Sequence, residues 1–180
     1  MLITLSVPAP AQAARDDAGI IADGQYFTVK AFSGIDVATL LKKLNYDHFL
    51  QVDTFLLNHQ TSSAPQDLLA KNVDALYREV QEILGLQVSA FRATIYICPD
   101  DRGVQNQFKK IYGMDFHERS FFVFDTNTIF ISFQDLTLGM LGHEMAHAII
   151  SAYFVVPPPT KVQEVLAGYV EFNLRKIVSH

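Results

Sequence analysis

Residues 136–160 read LTLGMLGHEMAHAIISAYFVVPPPT, and in this run Glu144 is the one residue that carries a formal charge. The apolar character of the run predicts a buried helix, which the prolines from Pro157 onward bring to an end. His143 and His147 lie four residues apart, so a helix places their rings on one face about one turn apart. An ionised carboxylate on so apolar a helix is costly to bury unless another charge compensates it. The run therefore predicts a core helix with one polar, reactive face.

The polar residues of this helix form the pattern His-Glu-x-x-His, with Met145 and Ala146 between them. Two imidazoles at this spacing can bind one zinc ion, which would also compensate the charge of Glu144. A glutamate beside the first histidine can take a proton from a water molecule and pass it to a leaving amine. The pattern therefore predicts one Zn²⁺ ion bound by His143 and His147, and hydrolysis of peptide bonds with Glu144 as general base.

A catalytic zinc ion usually takes three protein ligands, so a third must come from elsewhere in the chain. The carboxylates downstream are Glu164 and Glu171, on a helix predicted to begin at Thr160 after a proline break that lets the chain reverse. Glu164 is the predicted third ligand. Glu171, two turns further on the same face, is either a partner of a ligand histidine, a solvated residue or the true ligand. Ala167 and Gly168 on that face predict a close approach to the histidine helix.

The two motifs together resemble the gluzincin metallopeptidases, in particular the short peptidase-MA-like members with a pattern close to HExxH…E-G-x-A-x-Y. The matching residues are HEMAH at 143–147 and QEVLAGYVE at 163–171, and the likeness covers residues 90–175 best. It implies a zincin-like domain that cleaves a peptide or protein substrate. The implied zinc ligands are the two motif histidines with Glu164, and the implied base is Glu144.

The same likeness implies that the strand before the zinc helix is an edge strand that pairs with the substrate backbone. Its substrate-binding residues would be Asn127, Thr128, Ile129 and Phe130.

Two positions depart from the family pattern, and one catalytic group is not identified. Val165 replaces the glycine that commonly follows the third ligand. Gly168 replaces the aspartate that often supports a ligand histidine, which leaves Glu171 as a substitute. Gluzincins often stabilise the reaction oxyanion with a Tyr or His from beyond the ligand helix. The candidates here are Tyr153, Tyr169 and His180, and Tyr153 is favoured.

The rest of the chain predicts an α+β fold: a small, mostly antiparallel sheet packed on helices, with the HExxH helix followed by the glutamate-ligand helix. Apolar alternation and β-branched residues predict strands over residues 25–32 and 90–98 and a hairpin of 120–124 with 128–133. Helical spacing and caps predict helices over 36–44, 63–85, 100–112, 135–154 and 160–177. Residues 46–60 are ambiguous between helix and irregular structure.

Composition bounds the class of protein. With 49% hydrophobic and 18% charged residues in 180, the chain predicts a single globular domain, placed over residues 19–180. A net charge of −5 and the lack of a basic cluster argue against a nucleic-acid partner. Cys98 is the one cysteine, which excludes an internal disulfide and a cysteine-rich metal site.

The first residues suggest targeting. Residues 1–18 form a signal-peptide-like or disordered segment, in which the apolar start and the small-x-small triplet Ala11-Gln12-Ala13 favour export to a periplasmic or extracellular location. A cytoplasmic location stays open, because the segment has no basic start.

Three other interpretations compete with the enzyme. The first is a zinc-binding interaction or assembly module of the same fold without turnover. The second is a helical core without metal. In the third, residues 136–156 cross a membrane. That span would need neighbouring helices to shelter the ion, so no stable membrane span is predicted. The oligomeric state is not addressed by the sequence.

Overall fold

A computed structural model describes residues 18–44, 64–115 and 117–178. These residues form five strands and five helices, which confirms the α+β class. The strands are β1 (Ala18–Asp23), β2 (Phe27–Phe32), β3 (Ala93–Cys98), β4 (Ser120–Val123) and β5 (Thr128–Ser132). The helices are α1 (Val37–Leu44), α2 (Pro65–Leu84), α3 (Asp101–Tyr112), α4 (Leu138–Tyr153) and α5 (Thr160–Val178), and a short 3-10 turn spans Phe124–Thr126. The ambiguous residues 46–60 lie outside the described parts of the chain.

The sheet has the order β1-β2-β3-β5-β4 and is mixed. β1 with β2 and β4 with β5 pair antiparallel, whereas β2 with β3 and β3 with β5 pair parallel. The prediction of a mostly antiparallel sheet is therefore wrong. In the chain, α1 and α2 come between β2 and β3, and α3 and the reversed strand β4 come between β3 and β5, so β3 runs parallel to both of its neighbours. The sequence also gave no signal for β1, an edge strand on which Ile20 is 65% exposed.

Alternate strand residues divide the core between the two faces of the sheet. One face, with residues such as Val29, Ile95 and Ile129, packs with α2, α4 and α5 in the main hydrophobic cluster. The opposite face packs Tyr96 and Phe121 in a smaller cluster beneath α3. The HExxH helix therefore lies on the face that carries most of the core.

Helix ends were mostly predictable from local chemistry. Asp100 caps α3 by accepting a hydrogen bond from the Gly103 amide, and Gly85 ends α2 in the left-handed conformation. The predicted start of α4 at Asp135 is wrong. Thr137 is its N-cap and accepts a hydrogen bond from the Met140 amide.

The described helices include none that is both long and apolar enough to cross a membrane. The run that suggested such a span is divided between α4, which has 16 residues, and the connection that follows it.

Helices α4 and α5 pack closely because α4 has glycines where they meet. A Cβ atom on Gly142 would lie 2.1 Å from Cδ1 of the buried Leu174, and one on Gly139 would lie 3.1 Å from Cγ of Glu171. On α5, Ala167 is fully buried, as its predicted packing role requires. Gly168 has no such role, since a Cβ atom there would meet nothing within 4 Å.

The two glycines make a matched test of this packing. Gly142→Ala should lower the free energy of unfolding by about 1–3 kcal/mol, because the added methyl group forces Leu174 out of a filled core. Gly168→Ala should raise it by up to about 1 kcal/mol, because alanine is the better helix former and the space is open. Urea unfolding followed by circular dichroism measures both changes, and equal effects would contradict the close packing at Gly142.

Candidate metal centre

Three side chains from α4 and α5 meet at one point. Nε2 of His143 lies 3.2 Å from Nε2 of His147. Glu164 lies beside both rings, with Oε2 3.5 Å from Nε2 of His143 and Oε1 3.4 Å from Nε2 of His147. One ligand atom from each residue can be chosen so that all lie within 4.8 Å of one another. Histidines one helical turn apart and a glutamate from the reversed helix therefore converge as the sequence predicts.

These distances suit a tetrahedral zinc ion. Ligand atoms about 2.0–2.2 Å from zinc at tetrahedral angles lie roughly 3.3–3.5 Å from one another. The contacts among His143, His147 and Glu164 cover 3.2–3.5 Å. Oε2 of Glu164 is the oxygen near His143, and Oε1 is the oxygen near His147. Either oxygen of this carboxylate could therefore serve as the ligand atom. The donor set of nitrogen and carboxylate oxygen fits a zinc site that keeps one position open.

The second downstream glutamate has a different position. Oε2 of Glu171 lies 3.5 Å from Nδ1 of His143, on the side of the ring away from Glu164. That Nδ1 atom is buried and forms no hydrogen bond with the described residues. The other oxygen of Glu171 pairs with Arg175 one turn along α5. Glu164 thus faces the Nε2 atoms of both histidines, and Glu171 is placed to orient the ring of His143.

Glu144 is almost completely buried beside this centre, with 5% of its surface exposed. Its Oε1 accepts a 2.7 Å hydrogen bond from the hydroxyl of Ser120 on β4. Burial raises the pKa of Glu144 from 4.5 to about 7, the Ser120 hydrogen bond opposes that rise, and the nearby Glu164 and Glu171 add to it. A carboxyl group with such a pKa can both accept and return a proton near neutral pH.

Burial lowers the pKa of His147, and the neighbouring His143 lowers it further. Glu164 and a hydrogen bond with Gln163 act in the opposite direction. Because a lowered pKa keeps the imidazole neutral, the ring nitrogen is available to bind a metal ion at neutral pH.

The centre opens into a cleft of about 820 Å³. The walls come from β4 and the residues before it, from α4, and from the start of α5. Besides the histidines and glutamates already described, the polar lining residues are Glu118, Arg119, Ser120, Ser151, Thr160 and Gln163, and the apolar ones are Phe121, Phe122, Phe124, Met140 and Pro157.

The predicted oxyanion donors are not brought to this cleft. Tyr153 is 48% exposed, packs edge-on against Phe154 and is not among the residues that line the cleft. Tyr169 is 54% exposed and does not line it either. Each tyrosine points to a different side of its helix from the residues that form the centre. His180 lies outside the described residues.

Among the described strands, the outermost one beside the cleft is β4, not β5. β5 lies between β3 and β4 and is paired on both sides, so the predicted edge strand is wrong. Asn127, Thr128, Ile129 and Phe130 therefore have no open edge to offer a substrate. The hairpin turn, in which Asn127 has a φ of 45°, places the preceding strand outermost. The sequence located the hairpin correctly and assigned its outer strand wrongly.

The direction of the backbone groups on β4 follows from its pairing. The Ser132 amide donates to the Arg119 carbonyl, so these two residues form a hydrogen-bonded pair. Pairs alternate along an antiparallel ladder, so Ser120 opposite Ile131 is a non-bonded pair, and Phe122 is the next one. The N–H and C=O groups of Ser120 and Phe122 therefore point away from β5, toward the open edge.

Comparisons with protein-family models, with curated proteins and with solved structures gave no match to this chain. The centre is therefore interpreted from its own distances, burial and donor atoms. The gluzincin likeness remains a likeness of two motifs.

Ser120 and Gln163 contribute to the site and were not predicted. Ser120 occupies an inward position of β4 at which strand alternation favours an apolar side chain, as at Phe122. A polar residue at such a position is a signal for a buried partner, but the partner, Glu144, lies 24 residues away along the chain. Gln163 lines the cleft near the start of α5, where its side-chain Nε2 donates a 2.8 Å hydrogen bond to the Pro158 carbonyl.

The raised pKa of Glu144 predicts how the stability of the metal-free protein depends on pH. The unfolded chain loses this proton near pH 4.5, whereas the folded protein holds it until about pH 7. Between these values the unfolded state binds fewer protons, so the free energy of unfolding falls as pH rises, by about 3 kcal/mol in total.

The matched variant is Glu144→Gln, which keeps an acceptor for Ser120 and does not titrate. Both proteins are treated with a chelator and unfolded with urea between pH 4.5 and 8. The free energy of unfolding should fall with rising pH by about 3 kcal/mol more in the parent than in the variant. The histidines titrate in both proteins, so the difference between the two curves reports Glu144. Parallel curves for the two proteins would contradict the raised pKa.

Proposed function

We propose that the protein is a zinc-dependent metallopeptidase with a zincin-like domain, in which His143, His147 and Glu164 hold one Zn²⁺ ion. One observation carries the proposal. A buried carboxyl group, Glu144, lies next to two histidines and a glutamate whose donor atoms are close enough together to bind one metal ion in an open cleft. Binding alone does not require a further acidic group buried beside the ligands, whereas hydrolysis requires a base at that place.

The residues of the chain have distinct parts in this reaction. When bound, zinc supplies Lewis-acid chemistry, polarising a carbonyl group and lowering the pKa of water toward about 7. Glu144 accepts a proton from the attacking water and gives a proton to the amine that leaves. Glu171 orients the ring of His143 from the opposite side of the ligand nitrogen. Burial of Glu144 keeps competing water away from its carboxyl group.

A peptide substrate is supported by the edge of the sheet. β4 lines the cleft, and the outward N–H and C=O groups of Ser120 and Phe122 can pair with an extended chain as an added strand. Such pairing holds a peptide beside the centre without requiring a particular side chain. The apolar lining from Phe122 and Met140 gives room for nonpolar side chains of that peptide.

The two downstream glutamates predict different losses of zinc affinity. Glu171→Gln should weaken zinc binding by roughly 10–100-fold, the effect expected of a residue that supports a ligand. Glu164→Gln should weaken it more, because the variant lacks a charged ligand. Competition with a chromophoric chelator measures both affinities, and elemental analysis of the purified parent should give one zinc per chain. The reverse order of losses would make Glu171 the ligand.

Turnover is tested by the base. The zinc-loaded parent should cleave members of a mixed peptide library, detected as new termini by mass spectrometry. Glu144→Gln should retain zinc and lose cleavage by at least about 10²-fold, the lower bound expected for removing a general base. Cleavage that persists in the variant at the parental rate would show that it does not depend on this site.

The alternative is a zinc-binding interaction module that does not turn over. One observation favours it: no tyrosine lines the cleft among the described residues, so the usual neutral oxyanion donor is not in place. This alternative predicts that the parent holds zinc and cleaves no peptide in the library.

A further inference from the structure

We infer that Ser120 is a positioning residue for the proposed reaction, one that fixes the base Glu144 and ties it to the strand on which the peptide lies. The inference rests on the proposed function. Among the described residues, the Ser120 side chain forms no hydrogen bond with a proposed zinc ligand. Its hydroxyl bonds to Oε1 of Glu144 at 2.7 Å, across the gap between β4 and α4.

The hydrogen bond selects one oxygen of the carboxyl group. Oε1 of Glu144 is occupied by the Ser120 hydroxyl, so Oε2 is the oxygen left to take a proton from water. Glu144 is 5% exposed, and solvent does little to hold its orientation. Without Ser120 the carboxyl group would rotate more freely about its terminal bond, since terminal torsions of this kind are broad. Ser120 therefore holds the Glu144 carboxyl group in the orientation that leaves Oε2 free to accept the proton.

Ser120 also faces the substrate. Its side chain points to α4, while its backbone N–H and C=O point to the free edge of β4. An extended peptide paired to that edge would bond to the backbone of the same residue whose side chain holds the base. Ser120 therefore sets both the position of the peptide along β4 and the position of the base. It is a half-buried residue, and the pairing of β4 with β5 holds its backbone in place. A scissile bond placed one residue along the edge would lose this alignment.

The test compares zinc-loaded Ser120→Ala and Ser120→Thr with the parent on one peptide that the parent cleaves. Ser120→Ala removes the hydroxyl and should lower kcat by about 10–100-fold, the value of a hydrogen bond to a charged group, with KM and zinc affinity changed by less than about threefold. Ser120→Thr keeps the hydroxyl on a side chain that strands accept and should restore kcat to within about threefold. In a Glu144→Gln background, Ser120→Ala should have no further effect on residual cleavage, because the two residues act as one unit.

The outcomes separate this role from the proposed function. A parent that cleaves no peptide overturns both. A parent that cleaves while Ser120→Ala has a parental kcat overturns the positioning role alone. An equal loss of kcat in both Ser120 variants, or a loss that accompanies weakened zinc binding, also overturns it, because either result indicates a structural effect on the centre.

Discussion

The close packing of α4 on α5 is the contact on which the site depends. Both histidines proposed as ligands lie on α4 and the facing glutamates lie on α5, so the distances at the centre are set by how near the helix axes come. Gly142 makes that distance small by leaving its surface open to Leu174. Apolar packing between Gly142 and Leu174 therefore helps to determine the geometry of the polar centre beside it. The proline-containing connection between the helices makes the reversal, but the glycine sets the spacing.

Charge is the second constraint on this region. Glu144, Glu164 and Glu171 lie close enough that two of them raise the pKa of the third. A cluster of three carboxyl groups is unfavourable when all three are ionised, and burial lowers the pKa of the neighbouring His147, which disfavours a compensating positive charge there. A divalent cation would remove that cost, and binding it would couple to protonation of the same groups. Metal affinity and stability are thus expected to depend on pH together.

Local signals predicted much of the fold and the central part of the site. The apolar run with one charged residue located α4, and the spacing of His143 and His147 brought their rings together because a helix has a fixed rotation per residue. Non-local pairing was the source of the errors in the sheet. Whether a strand is parallel, central or outermost depends on partners distant in sequence, so the order of β4 and β5 and the partner of Ser120 were not readable from either segment. The error at Tyr153 has a local cause: six residues after His147 a helix has turned by about 240° from the face of that histidine, so the side chain points to another side of α4.

The pairing of β4 with β5 has a consequence for how this chain tolerates changes in length. Because side chains alternate along a strand, adding or deleting one residue in the turn at Phe124–Thr126 would exchange the two faces of β4 relative to β5. The serine hydroxyl would then point toward α3, and an aromatic side chain would meet Glu144. Homologous chains should therefore vary more freely in the identities of the turn residues than in their number.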